Sequence, residues 1–167
     1  MDLKAVLILF GVALLLLILS VMTKTLEALK DLYSKYSPIE KLLTPTELKF
    51  WRVLRRVVPD ELIIFSKVRL CDIAQVKDRN DIKAFHRISS KHVDFVLCRE
   101  DDTAFVCVIE LDDLSHLLPD RQKRDDFVDG VMKRCKLPIL HIKTAKIYDE
   151  TELERRIADA IAGQGVK

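Results

Sequence analysis

Three carboxylates in this chain, Asp94, Glu110 and Asp112, stand where paired strands would gather them. Residues 93–98 (VDFVLC) and 103–111 (TAFVCVIEL) are apolar runs on either side of Arg99-Glu100-Asp101-Asp102, the pattern of a hairpin with a polar turn. In an antiparallel pair the start of one strand lies beside the end of the other. Alternation then sets Glu110 and Asp112 on one face, so three acids meet at one end of an otherwise apolar hairpin. Clustered carboxylates repel, and burying each costs several kcal/mol unless something compensates. A hard divalent cation is the usual compensation, since Mg²⁺ takes one or two carboxylates, waters and phosphate oxygens. A polar rim where strands end is the plainer alternative.

His116 follows the acids by one short loop; a neutral imidazole there can accept a proton or bind metal, or simply face solvent. Arg124 and Asp125 open the next helical stretch, where Arg124 can hold a phosphate or brace Asp125 or Asp129. Arg52, Arg55 and Arg56 form a basic face, suited to solvent or to a phosphate backbone. His86, His92 and His141 carry no pattern and read as structural.

These residues need elements to position them. Thr44-Pro45-Thr46-Glu47 combines a capping residue, a proline at the first helical position and the acid of a capping box. Leu48, Trp51, Leu54 and Val58 extend an apolar stripe until Pro59 stops it. Residues 62–70 read as a strand, and 71–90 as irregular with a short helix at 82–88. A helix at 121–135 turns Phe127, Val131 and Cys135, or Val128 and Met132, inward. A buried strand at 137–142 and a helix at 150–161 close the chain. The order α-β-β-β-α-β-α predicts one α/β domain with a mixed sheet, spanning 44–163.

Composition sets the front of the chain apart. The 167 residues carry 28 Lys and Arg against 26 Asp and Glu, too balanced for bulk charge to announce a nucleic-acid binder. An apolar share of 49% with four Gly and five Pro excludes low-complexity and collagen-like chains. Residues 1–22 contain only Asp2 and Lys4 as charges, and residues 5–22 contain none. That run makes about 27 Å of helix against a hydrocarbon core of ~30 Å. No small-x-small cleavage site follows it, so residues 1–23 read as an uncleaved membrane anchor rather than a signal peptide. Lys24, Lys30, Lys35 and Lys41 follow the span, which predicts a single pass with the carboxy-terminal domain in the cytoplasm. Residues 24–43 read as a juxtamembrane helix, periodic to Tyr36, and a linker; a plain spacer explains them as well as a partner-binding helix. Cys71, Cys98, Cys107 and Cys135 form no CxxC, and three lie in apolar runs, as expected of buried thiols in a reducing compartment.

The stretches HVDFVL, VIELDDLSH and KRDDFVDGVMKRCKLPILHI resemble the bacterial domain-of-unknown-function 2726 family over roughly residues 40–145. That family resembles the PD-(D/E)XK nucleases, and its ELD-x-x-x-H stretch is similar to that of very-short-patch-repair endonucleases. The resemblance implies a restriction-endonuclease-like core of order α-β-β-β-α-β, which the anchor outside it would place at a bacterial inner membrane. It implies Asp94 and Glu110 as ligands of Mg²⁺ or Mn²⁺, Glu47 as the acid on the first helix, and nucleic acid as substrate. Asp112 stands where the pattern has a lysine, either as a third ligand or as the mark of a lost base. His116, Lys91 or Lys123 is then left to orient the water, with Lys91, Lys123 and Arg124 as nucleic-acid contacts. A non-catalytic module binding nucleic acid or protein is the alternative.

Overall fold

A computed structural model describes residues 2–112 and 119–163, without the side chains of 119–122. The chain divides into two units, Met1–Lys41 and Leu42–Lys167.

The first unit is built on helix α1 (Leu3–Ser34), none of whose residues is buried. It is long and apolar enough to cross a membrane. The apolar run and the periodic stretch after it are continuous. No Gly or Pro interrupts residues 23–34, and Thr23 and Thr25 turn their hydroxyls back onto the carbonyls of Ser20 and Met22. The segments read as anchor and as juxtamembrane helix are therefore one helix, which ends before Tyr36.

The second unit is a mixed α/β domain with a four-stranded sheet. Helix α2 (Pro45–Val57) starts on the full capping box: the Thr44 hydroxyl accepts from the Glu47 amide, and the Glu47 carboxylate from the Thr44 amide. Next come β1 (Leu62–Arg69), the short α3 (Leu70–Ile73) and α4 (Ile82–Ser89). The α3 turn falls in a stretch read as irregular; fully buried Leu70 fixes it. Strands β2 (His92–Arg99) and β3 (Phe105–Asp112) form the hairpin, α5 (Pro119–Cys135) crosses over, and β4 (Ile139–Lys143) and α6 (Glu150–Ala162) follow.

The strand order is β1-β2-β3-β4, antiparallel except for the parallel β3–β4 pair. On one face Phe50, Leu54, Leu153 and Ile157 from α2 and α6 pack on Phe95, Leu97 and Ile109. On the other, Val128 and Met132 of α5 pack with Leu70 and Ile88 on Val96 and Val108. The central strands are thus covered twice, which explains their nearly unbroken apolar runs. The expected buried strand at 137–142 is instead an edge strand that begins two residues later. Pro138 has no N–H for a ladder and gives its carbonyl to the Val108 amide; of β4 only Ile142 is buried. Of the three thiols in apolar runs, Cys98 and Cys107 are buried and Cys71 departs from expectation by being partly exposed; Cys135 is exposed.

Candidate active site

The ladder registers line up four polar residues across the sheet. One step beyond the pair Phe95↔Ile109 stand Asp94 and Glu110. Glu110 pairs in turn with His141 of β4. On the other side, Ser66↔Phe95 and Val68↔Val93 bracket Lys67 opposite Asp94. Lys67, Asp94, Glu110 and His141 therefore form one row over all four strands.

Lys67 reaches the row through a kink. Its φ of 58° lies in the left-handed region, unusual for a residue with a Cβ. The kink shifts the phase of β1: Ile63 and Val68 pack on the same cluster although five positions apart, where an unbroken strand would place them on opposite faces. The Lys67 ammonium sits 2.5 Å from Glu47 Oε1 and 3.2 Å from Asp94 Oδ1. All three side chains are mostly buried, with exposures of 21%, 12% and 14%. Burial works against the ammonium, but hydrogen bonding to Glu47 and the Asp94 and Glu47 charges outweigh it and raise the Lys67 pKa. Burial likewise works against the Glu47 carboxylate, and Lys67 with the Thr44 amide brings its pKa below the usual value. Lys67 is thus a fixed cation, and Glu47 closes the helix cap while holding it.

Asp94 directs its second oxygen to the Leu111 amide, which donates at 3.0 Å and ties the start of β2 to the end of β3. Glu110 is partly buried beside it. Desolvation first, then the Asp94 charge and a hydrogen bond with Asp94, push the Glu110 carboxyl up to about 8; Arg124 and His141 pull the other way. Without a further cation, Glu110 therefore keeps its proton at neutral pH.

Asp112 is engaged with His141. Its Oδ1 lies 3.1 Å from His141 Nδ1, and Asp129 Oδ1 of α5 lies 3.0 Å from His141 Nε2. Burial disfavours the imidazolium, yet the two carboxylates prevail and raise the His141 pKa. Asp112 and Asp129 thus hold His141 between them, beside its register partner Glu110. Among the described residues, no group of three or more His, Cys, Asp or Glu side chains is placed to hold a metal ion.

Of the remaining candidates, Arg124 lies near enough to Glu110 for its charge to act on that carboxyl. Lys91 donates to the Arg87 carbonyl and lies over the Phe127 ring, turned to α4 and α5 rather than to the row. Lys123 and Arg124 are exposed on α5, and Arg124 donates to the His92 carbonyl at 3.4 Å. Of the basic α2 face, Arg56 pairs with Glu150 and Arg55 lies over Trp51. His116 lies outside the described residues. Lys67, His141 and Asp129 went unread as site residues. Lys67 sits at an ordinary polar position of LIIFSKVRL, and only the kink and the pairing reveal it. His141 did carry a signal, because it alternates with Leu140 and Ile142 and so faces the side opposite to them.

Residues 39–161 match a family described as proteins of unknown function, DUF2726. The chain belongs to that family. No curated protein and no solved structure matches it. The match covers the whole four-residue row, so the geometry at Lys67, Asp94, Glu110 and His141 belongs to the DUF2726 part of the chain, and α1 precedes it.

Proposed function

We propose that the DUF2726 domain is a metal-dependent phosphodiesterase of the PD-(D/E)XK nuclease type, acting on nucleic acid and tethered by α1 to a bacterial inner membrane, with the domain on the cytoplasmic side. The observation that carries the reading is the fixed Lys67 ammonium beside Asp94, next to Glu110 on the neighbouring strand. It supplies from β1 the lysine that the nuclease pattern has at the position of Asp112. The element order from α2 to β4 is compatible with the nuclease core, with α3 and α4 inserted.

The donor set suits a hard cation. Two carboxylates are the usual protein share for Mg²⁺ or Mn²⁺, which keep several waters, and Glu110 holds a proton that a cation would displace. Asp94 and Glu110 would hold the ion, which lowers the pKa of bound water and offsets phosphate charge. Lys67 orients the attacking water and stabilises charge on the phosphate. Glu47 and Asp94 keep that ammonium in place. The His141 clamp fixes the end of β3 against β4 and α5, and so the direction of Glu110. A non-catalytic binding module has one observation in its favour: Asp112 is engaged with His141.

The test uses the full chain in detergent. Mn²⁺ binding is measured, and cleavage of single-stranded DNA, duplex DNA and RNA is followed with Mg²⁺. Asp94→Asn is expected to abolish saturable Mn²⁺ binding and to reduce cleavage by 10²-fold or more. Wild-type cleavage persisting in the variant rejects the site; Mn²⁺ binding without cleavage of any substrate favours the binding module.

A further inference from the structure

The unbroken α1 helix has a second feature that no reaction at the sheet explains. Its 32 residues span about 48 Å, some 18 Å more than a ~30 Å hydrocarbon core. The surplus corresponds to residues 23–34, in water or headgroups, yet this part carries apolar residues in a fixed spacing. Met22, Leu26, Leu29 and Tyr33 follow one another at steps of four, three and four. The same alternation runs back through Leu19, Leu15, Val12, Ile8 and Ala5. Inside the span every position but Gly11 and Ser20 is apolar, and both of those lie off the seam, so the segment beyond it decides. There Thr23, Lys24, Thr25, Glu27, Lys30, Asp31 and Ser34 all fall off the seam.

We propose that α1 pairs in parallel with α1 of a second copy of this chain, as a left-handed coiled coil that runs through the membrane and continues beyond it. An alternation of three and four is the 3.5-residue repeat that keeps one seam facing a partner along a supercoil. The seam is self-complementary, as a two-fold interface requires, and copies that insert alike run parallel. The apolar area is available: Met22, Leu26, Leu29 and Tyr33 are 62%, 68%, 51% and 66% exposed, and Leu32 beside them 54%. These five side chains offer on the order of 500 Å² per helix, against about 800 Å² per partner in a standard interface. Seam residues inside the span supply the rest. No charge lies on the seam to oppose the pairing, and Gly11 lies off it, so large-residue knobs rather than close glycine contact make the interface.

Disulfide trapping tests the seam directly. The full chain is prepared with Cys71→Ser and Cys135→Ser; buried Cys98 and Cys107 remain, both thiols held unreactive by burial. Single cysteines replace Met22, Leu26, Leu29 and Tyr33 on the seam, and Ala28 and Asp31 off it. The proteins are reconstituted in liposomes at low protein-to-lipid ratio and oxidised. Seam positions are expected to form covalent dimer at least about tenfold more than Ala28→Cys and Asp31→Cys. Uniform cross-linking at all six positions overturns the proposal. So does none at any, the outcome if the stripe lies against lipid. The readout requires no cation and no substrate, so it stands or falls apart from the nuclease reading.

Discussion

Lys67→Met is expected to reduce cleavage by about 10²–10⁴-fold, the usual range for a group that positions or activates the reacting water. It should also lower stability by about 3–5 kcal/mol, because Glu47 and Asp94 would be left mostly buried without their counter-charge. Those effects separate in a second variant. Lys67→Arg keeps a positive charge for the two carboxylates, so most of the stability should return. Its planar guanidinium cannot place one donor as the ammonium does, so cleavage should stay at least tenfold below wild type. Thermal unfolding and initial cleavage rates on the three proteins check both claims. A fully active Lys67→Arg leaves the residue with a merely structural charge, and a fully active Lys67→Met removes it from the reaction.

Glu110→Gln is expected to abolish Mn²⁺ binding and, in the absence of cation, to stabilise the domain at alkaline pH. The folded Glu110 carboxyl titrates near 8 instead of 4.5. Between those values the native protein binds a proton that the unfolded chain releases, so wild-type stability falls as pH rises through that window. Below 4.5 both states are protonated and the term vanishes. At ~1.4 kcal/mol per unit the whole shift would approach about 5 kcal/mol, and solvent at a partly exposed carboxyl reduces this to on the order of 2 kcal/mol. The amide cannot ionise, so above pH 8 the variant should unfold at a higher temperature than wild type in EDTA. Mn²⁺ should bind wild type more tightly as pH rises through the same window, because the proton must leave first. Parallel melting curves for the two proteins from pH 5 to 9 would contradict the assignment of the shifted group.

Local chemistry makes much of this fold legible. The Thr44 and Glu47 capping box, the double-sided apolar runs of β2 and β3 and the polar Arg99–Asp102 turn each state their structure in their residue types. The proximity of Asp94 and Glu110 follows from hairpin alternation alone. What stayed hidden depends on distant pairing or on a break in a local rule. The left-handed φ of Lys67 shifts the phase of β1, so that Val68 joins the cluster of Ile63. The contact of Asp112 with His141 needs the parallel β3–β4 register, set across a helix of 17 residues. The α1 rod was divided where its polarity changes, although helical backbone is indifferent to that change when no breaker intervenes.

The parallel pairing of β4 also gives the domain an order of assembly. Strands β1, β2 and β3 join by antiparallel pairing, whereas β4 pairs in parallel with β3 across the intervening α5. Contacts between more distant segments close larger loops and form later. Asp94 and Glu110, 16 residues apart on the β2–β3 hairpin, therefore meet first, and Lys67 and His141 close on them across 27 and 31 residues, so the acids must tolerate one another before either cation arrives. Pulse-labelled exchange during refolding should protect the β2 amides before those of β4, and simultaneous protection would refute that order. In that sequence Lys67 and His141, one at each end of the row, are the late arrivals that settle a pair of acids already in contact.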